Sequence, residues 1–205
     1  AAGSTGSLTA RLIHGLTKSK LRVDLHLVDK QLPETLASEL GATASTEMAS
    51  LRDCDYIIVV TNAPKAIIKP EHVQPGAVII DDSQPRNTSS ELVGHAFVVD
   101  VLARVDGLKV NFDFGFDTTD PAVTFSCLAE TILLGLVGHD GDFSIGKGAS
   151  LDLVEQVEAY LEQAASMGVR ITPAAWFSFA RQLSAEEVVR LCTPIPAQAQ
   201  LDAAE

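Results

Sequence analysis

Three short apolar runs, two of them closed by polar clusters, constrain this chain more than any other feature. Tyr56-Ile57-Ile58-Val59-Val60 leads into Thr61-Asn62-Ala63-Pro64-Lys65, and Ala77-Val78-Ile79-Ile80 leads into Asp81-Asp82-Ser83-Gln84-Pro85-Arg86-Asn87. Phe97-Val98-Val99-Asp100-Val101-Leu102 is the third. Continuous apolar runs of this length read as strands buried on both faces of a parallel sheet. Helical patterns stand before them: Ser7 to Leu21, Pro33 to Leu40 with Gly41 as stop, and Thr46 to Arg52. Arg22 to Val28 alternates polar and apolar residues, which predicts a half-buried strand. Strand and helix therefore alternate through about residue 105, the pattern of a mostly parallel, helix-covered sheet. Ligands of such sheets lie at the carboxyl ends of the strands, where the polar clusters fall.

The amino terminus adds a glycine turn. Gly3-Ser4-Thr5-Gly6-Ser7 runs straight into the apolar positions Leu8, Leu12, Ile13 and Leu16. Glycines let backbone N–H groups approach an anion, and the dipole of the following helix favours its charge. Asp29 closes the second predicted element about 26 residues past Gly3, near the ~20 expected for an acid that binds ribose hydroxyls. Gly3, Ser4, Thr5, Gly6, Ser7 and Asp29 are thus candidate dinucleotide contacts, with Thr61, Asn62 and Ala63 on the next crevice loop. An acid at position 29 favours NADH, whereas the neighbouring Lys30 could meet the extra phosphate of NADPH. The chain opens almost on the turn, so the first strand of this Rossmann-type sheet is expected to be missing and the polypeptide to be a fragment.

Bulk properties narrow the partners. Of 205 residues 46% are hydrophobic, enough for a large core. The net charge of −12 disfavours nucleic acid or an anionic membrane surface as the main partner. Three scattered cysteines form neither a disulfide framework nor a zinc pattern, so a reducing, cytoplasmic setting is the expectation. No apolar stretch has the ~18 residues of a membrane span. Asp81 and Asp82 lack a third ligand at suitable spacing, so no metal is expected.

Beyond residue 120 the patterns are helical. Asp120-Pro121 signals a helix start, with apolar positions through about Val137. Gly138-His139-Asp140-Gly141-Asp142 breaks it, and Ser150 opens a long amphipathic helix ending near Gly168. Ser184-Ala185-Glu186-Glu187 is a capping box. Trp176 and Phe177 are expected to pack the carboxyl helices. These readings give three parts: a dinucleotide-binding domain over 1–120, a helical extension over 121–193, and a flexible tail over 194–205.

Cys127 stands out within Phe125-Ser126-Cys127-Leu128-Ala129-Glu130-Thr131-Ile132-Leu133-Leu134, followed by Asp142-Phe143-Ser144-Ile145-Gly146. These stretches resemble the carboxyl end of the cyanobacterial long-chain acyl-[acyl-carrier-protein] reductases. Asn62-Ala63-Pro64-Lys65, Asp81 to Asn87 and Gly3-Ser4-Thr5-Gly6 resemble that family's crevice and nucleotide loops, in order over about residues 1 to 170. The resemblance implies a Rossmann reductase using NADPH. Cys127 would take an acyl group from acyl-carrier protein or acyl-CoA as a thioester, and hydride would release a fatty aldehyde. A thiolate is the required nucleophile, and the front of a helix can favour it. Lys65, Ser83 and His139 are the accompanying catalytic candidates. Three departures bear on this: an amino-terminal substrate domain is expected to be missing, Thr9 replaces a glycine, and Asp29 sits where an NADPH enzyme usually prefers a neutral or cationic residue.

Two other readings remain open on the residues. One is an NAD(P)-dependent dehydrogenase of a small alcohol, ketone or imine, with Lys65 and the Asp81–Asn87 loop as its site. The other is a non-catalytic nucleotide-sensing module.

Overall fold

The computed structural model describes residues 3–17, 23–109, 120–143 and 152–192. The chain begins with helix α1 (Ser4–Thr17), strand β1 (His26–Val28), helix α2 (Glu34–Leu40) and strand β2 (Thr43–Ser45). Helix α1 therefore starts on the glycine turn itself. Its expected continuation to Leu21 and the expected strand start at Arg22 fall outside the described residues. Gly41 stops α2 in the left-handed conformation (φ 62°), its N–H bonded to the Ala37 carbonyl; only glycine does this without a Cβ penalty. Strand β2 is too short and polar to show in an apolar pattern; parallel pairing with β1 forms it. Ala10, Leu27, Leu36, Ala37 and Leu40 bury one another to join helices and strand.

A 3-10 turn at Met48–Asp53 leads to β3 (Tyr56–Val59), followed by β4 (Val78–Asp81) and β5 (Phe97–Asp100). These three strands form one parallel sheet in the order β3-β4-β5. Its rows are Ile57, Ile79 and Val98, then Val59, Asp81 and Asp100. Ile57, Val59, Ile79 and Val98 pack with Leu51, Ile68, Val73 and Leu92 from the connecting segments. Those segments carry 3-10 turns at Pro70–His72 and Ser90–Leu92 rather than full helices.

Two expectations are corrected here. First, among the described residues helices do not cover both faces of this sheet. Tyr56 is 75% and Ile58 38% exposed, so the apolar run of β3 has only one buried face. A continuous apolar run cannot by itself report which face the rest of the chain covers. Second, Phe97–Leu102 is not one strand. The chain turns at Val101 into β6 (Leu102–Asp106), which pairs antiparallel with β7 (Val123–Phe125) and β8 (Arg170–Pro173). With the antiparallel hairpin β9 (Phe177–Ser178) and β10 (Arg181–Gln182), half of the described strands are antiparallel and the α/β fold is mixed.

The region over 121–193 is accordingly not purely helical. Helix α3 (Ser126–Val137) starts five residues later than Pro121 implies. The β-branched pair Val123-Thr124 joins β6 instead, as residues that favour a pleated surface do. Arg104 links Asp106 and Asp120, which frames the turn before β7. Helix α4 (Asp152–Ser166) contacts α3 and leads to β8, and α5 (Ala185–Cys192) ends the described chain. Ser150 and the tail lie outside the described residues. Ala103, Val105, Ala129 and Val169 bury the α3 side of this sheet, while Leu102, Val123 and Phe177 bury the other. Among the described residues no helix is long and apolar enough to cross a membrane.

Candidate functional site

The carboxyl end of the parallel sheet is organised by one buried carboxylate. Asp81, last residue of β4, accepts the Ser83 N–H at 3.0 Å through Oδ1. Through Oδ2 it accepts the Asn87 N–H at 3.0 Å, the Thr88 N–H at 2.9 Å and the Thr88 hydroxyl at 2.7 Å. A buried carboxylate is tolerable when its oxygens are filled this way. These bonds wind residues 83–88, including the cis Gln84–Pro85 peptide, into a fixed loop.

Asn87 then ties this loop to the one after β3. Its side-chain amide faces the carbonyls of Ala63 (2.9 Å), Lys65 (3.3 Å) and Pro85 (3.0 Å). Its own backbone carbonyl accepts the N–H groups of Ile67 and Ile68. The side chain is fully buried, yet Asn87 Oδ1 meets no donor among the described residues. An unmatched buried acceptor is costly and marks a place where a donor from water or ligand is wanted.

Ser83 is buried in the same junction: its hydroxyl donates to the Val59 carbonyl (3.3 Å) and accepts the Thr61 N–H (3.2 Å). That hydroxyl is occupied with joining the two loops. The Thr61 hydroxyl in turn accepts the Ala63 N–H at 3.0 Å, while Asn62 and Lys65 are exposed at the loop surface. Burial, then the neighbouring Asp81, pushes the Asp82 carboxyl above the ordinary range.

The loop continues into Arg86, whose Nη2 donates to Asp100 Oδ2 at the end of β5 (2.8 Å). The same oxygen accepts the Ala180 N–H at 2.6 Å. Arg86 also lies over the Phe179 ring, 4.8 Å from its centroid. Desolvation raises the Asp100 carboxyl, against the lowering influence of Ala180 and Arg86. Sequence reasoning placed Arg86 near the site but had no signal for Asp100 or Ala180, which lie 80 residues apart.

Cys127 is exposed in the first turn of α3. The Ser126 hydroxyl beside it donates to the Val101 carbonyl at 3.3 Å. The helix front thus hangs from the residue that follows Asp100, on the side of the sheet where the loops gather. His139 lies past the opposite end of α3, about 18 Å along the axis from Cys127 at helical rise. It meets the Tyr160 hydroxyl at 3.0 Å and packs edge-on against Phe143. The structure therefore does not bring His139 to Cys127.

At the other candidate locus, Gly3, Ser4 and Thr5 are exposed at the start of α1, and Gly6 and Ser7 are buried. A Cβ built on Gly3 would meet nothing within 4 Å, so space is open above this helix end. Asp29 follows β1, its Oδ1 accepting the Gln31 N–H at 3.3 Å. Among the described residues no group of His, Cys, Asp or Glu side chains is arranged to hold a metal ion.

These features define an α/β protein with its polar loops gathered at the carboxyl ends of three parallel strands. No family model matches the chain. It is similar to an aminotransferase, PigE, of Serratia sp., at 28% identity over 165 residues that cover 78% of this chain. The chain spans only 18% of that protein's length.

Proposed function

We propose that the chain is the cofactor-binding and thiol-bearing part of a nicotinamide-dependent reductase that converts a long-chain acyl thioester to a fatty aldehyde. The observation that carries this reading is the placement of Cys127. Its thiol is exposed in the first turn of α3, and that turn is tied to Val101 beside the gathered loops. A helix front supplies unpaired N–H groups that could receive the oxygen of an acyl group bound at the thiol.

The Rossmann assignment has topological support. The pairs β2-β1 and β3-β4-β5 are each parallel. A parallel strand between β1 and β3 would make them a single six-stranded sheet in the doubly wound order. The residues fit a dinucleotide: the open start of α1 at Gly3, Ser4 and Thr5 suits a pyrophosphate, and Asp29 suits a ribose. NADPH or NADH, when bound, supplies the hydride. Thr61, Asn62 and Ala63 would line its path, and Lys65 would meet a charged group of the acyl carrier. Cys127 Sγ would attack the thioester carbonyl, forming a new carbon–sulfur bond as the carrier thiol leaves with a proton.

The test is mass spectrometry of the chain after incubation with a long-chain acyl thioester. An acyl adduct on Cys127 that disappears on adding NADPH or NADH supports the reading; adducts confined to other residues overturn it. The likeness to an aminotransferase favours a second reading, in which this unit serves as one domain of an amino-transferring enzyme. That reading predicts no acylation and no aldehyde from this chain.

A further inference from the structure

The turn of the β9–β10 hairpin is strained and held from outside. Ser178 pairs with Arg181, which leaves Phe179 and Ala180 as a two-residue turn. Both have positive φ, 50° and 62°, and neither is glycine. Such turns strongly prefer Asn-Gly, because residues with a Cβ resist this region. The hairpin is too short to impose it. Each strand has two residues, and an isolated pair of this size is not stable in water.

What enforces the turn is the end of the parallel sheet. Asp100 Oδ2 accepts the Ala180 N–H at 2.6 Å while holding Arg86 at 2.8 Å, and the guanidinium stacks on Phe179. On the amino-terminal side, Trp176 rests on Phe97 with ring centroids 6.1 Å apart, and its carbonyl accepts the Leu183 N–H at 2.8 Å. Among the described residues Arg86 has no side-chain acceptor other than Asp100, and its side chain keeps 29% of its surface exposed. Strain maintained by surrounding contacts collects at clamps and switch segments.

We propose that residues 178–181, between the buried Phe177 and Leu183, form a strap with a docked and a released state, and that Asp100 is its latch. Docking forces Phe179 and Ala180 into the unfavourable region and covers Arg86. Release relaxes both residues and uncovers the guanidinium, still paired with Asp100, at the carboxyl end of β4 and β5. The strain at Phe179 and Ala180 opposes the Asp100 and Arg86 contacts that hold the docked state. This inference does not depend on the reductase reading.

The test uses amide hydrogen exchange on the full chain, with Trp176, the chain's one tryptophan, as a fluorescence reporter. Ala180→Gly keeps the N–H donor and removes the conformational conflict at that position while Phe179 keeps its own, so it should slow exchange of the amide there and of the Leu183 amide. Asp100→Asn should speed exchange there by about tenfold and red-shift Trp176 emission, with β3 and β4 amides unchanged. Phe179→Leu, which removes the stacking alone, should act in the same direction and covers the case where Asp100→Asn does not fold. Equal protection of 180–183 in all folded variants, or faster exchange in Ala180→Gly, would overturn the strap.

Discussion

Asp81 Oδ2 receives the Thr88 hydroxyl at 2.7 Å, one of four bonds by which this buried carboxylate winds the loop after β4. Replacing it by alanine leaves three backbone N–H groups and a hydroxyl facing inward without acceptors. Asp81→Ala is expected to lower unfolding stability by about 3 kcal/mol. Thr88→Val, which removes a single hydroxyl, should cost about 1–2 kcal/mol. Urea titration of both variants checks the ratio, and equal losses would mean that Asp81 does not organise the loop.

The one-sided burial of β3 makes a second prediction. Ile57 is 5% exposed and Ile58 38%, although they are sequence neighbours of identical chemistry. Ile57→Ala should cost about 3 kcal/mol and Ile58→Ala roughly 1 kcal/mol. Similar costs at both positions would show the outer face of β3 covered in solution.

The thiols should differ in reactivity. Cys54 is partly buried and flanked by Asp53 and Asp55; burial foremost, then the two carboxylates, pushes its pKa up. Cys127 is exposed at a helix front. Limited iodoacetamide at neutral pH should label Cys127 well before Cys54, since the thiolate is the reacting form. Peptide mapping reads the order directly.

Acid should fray the front of α5 before it affects the sheets. Arg181 donates to Glu187 Oε1 at 2.9 Å, and the Ser184 N–H to Oε2 at 2.8 Å. The Glu187 N–H completes the capping box on the Ser184 hydroxyl at 3.2 Å. These bonds, Arg181 foremost, lower the Glu187 pKa from 4.5 to about 2. A depressed carboxylate stabilises the fold above its unfolded pKa, and that contribution fades as pH falls through the folded one. Exchange of the Glu187 and Val188 amides should therefore rise between pH 4.5 and about 2. The rise should vanish in Glu187→Gln.

Two glycines separate conformational strain from collision. Gly76 (φ 83°) and Gly107 (φ 90°) both sit in the left-handed region. A Cβ on Gly76 meets nothing within 4 Å, whereas one on Gly107 would collide with the Gly168 carbonyl oxygen. Gly76→Ala should cost about 1–2 kcal/mol from backbone conformation alone. Gly107→Ala should cost about 3 kcal/mol or more, because the turn after β6 must move off the one after α4. Thermal melts of the two variants settle the comparison.

Local chemistry was readable along the chain. Gly41 as a helix stop, the Ser184–Glu187 box and the cores of β3, β4 and β5 all follow from side-chain properties acting over a few residues. Pro121 carries a strong local signal for a helix start, yet α3 begins at Ser126. The pairing of Val123 and Thr124 with Arg104 and Ala103 is a long-range hydrogen-bond ladder with no local trace.

The sequence by itself determined where the parallel strands run, where polar loops close β3 and β4, and that a thiol stands near a helix front. Tertiary structure alone decided that Asp81 is consumed in winding its loop and that Ser83 joins two loops. It also decided that His139 lies away from Cys127, and that Asp100 reaches Ala180 across 80 residues. The reason is physical. Propensities and caps are set within a turn or two of backbone, whereas burial and the filling of a carboxylate's oxygens depend on which distant segments the folded chain brings together.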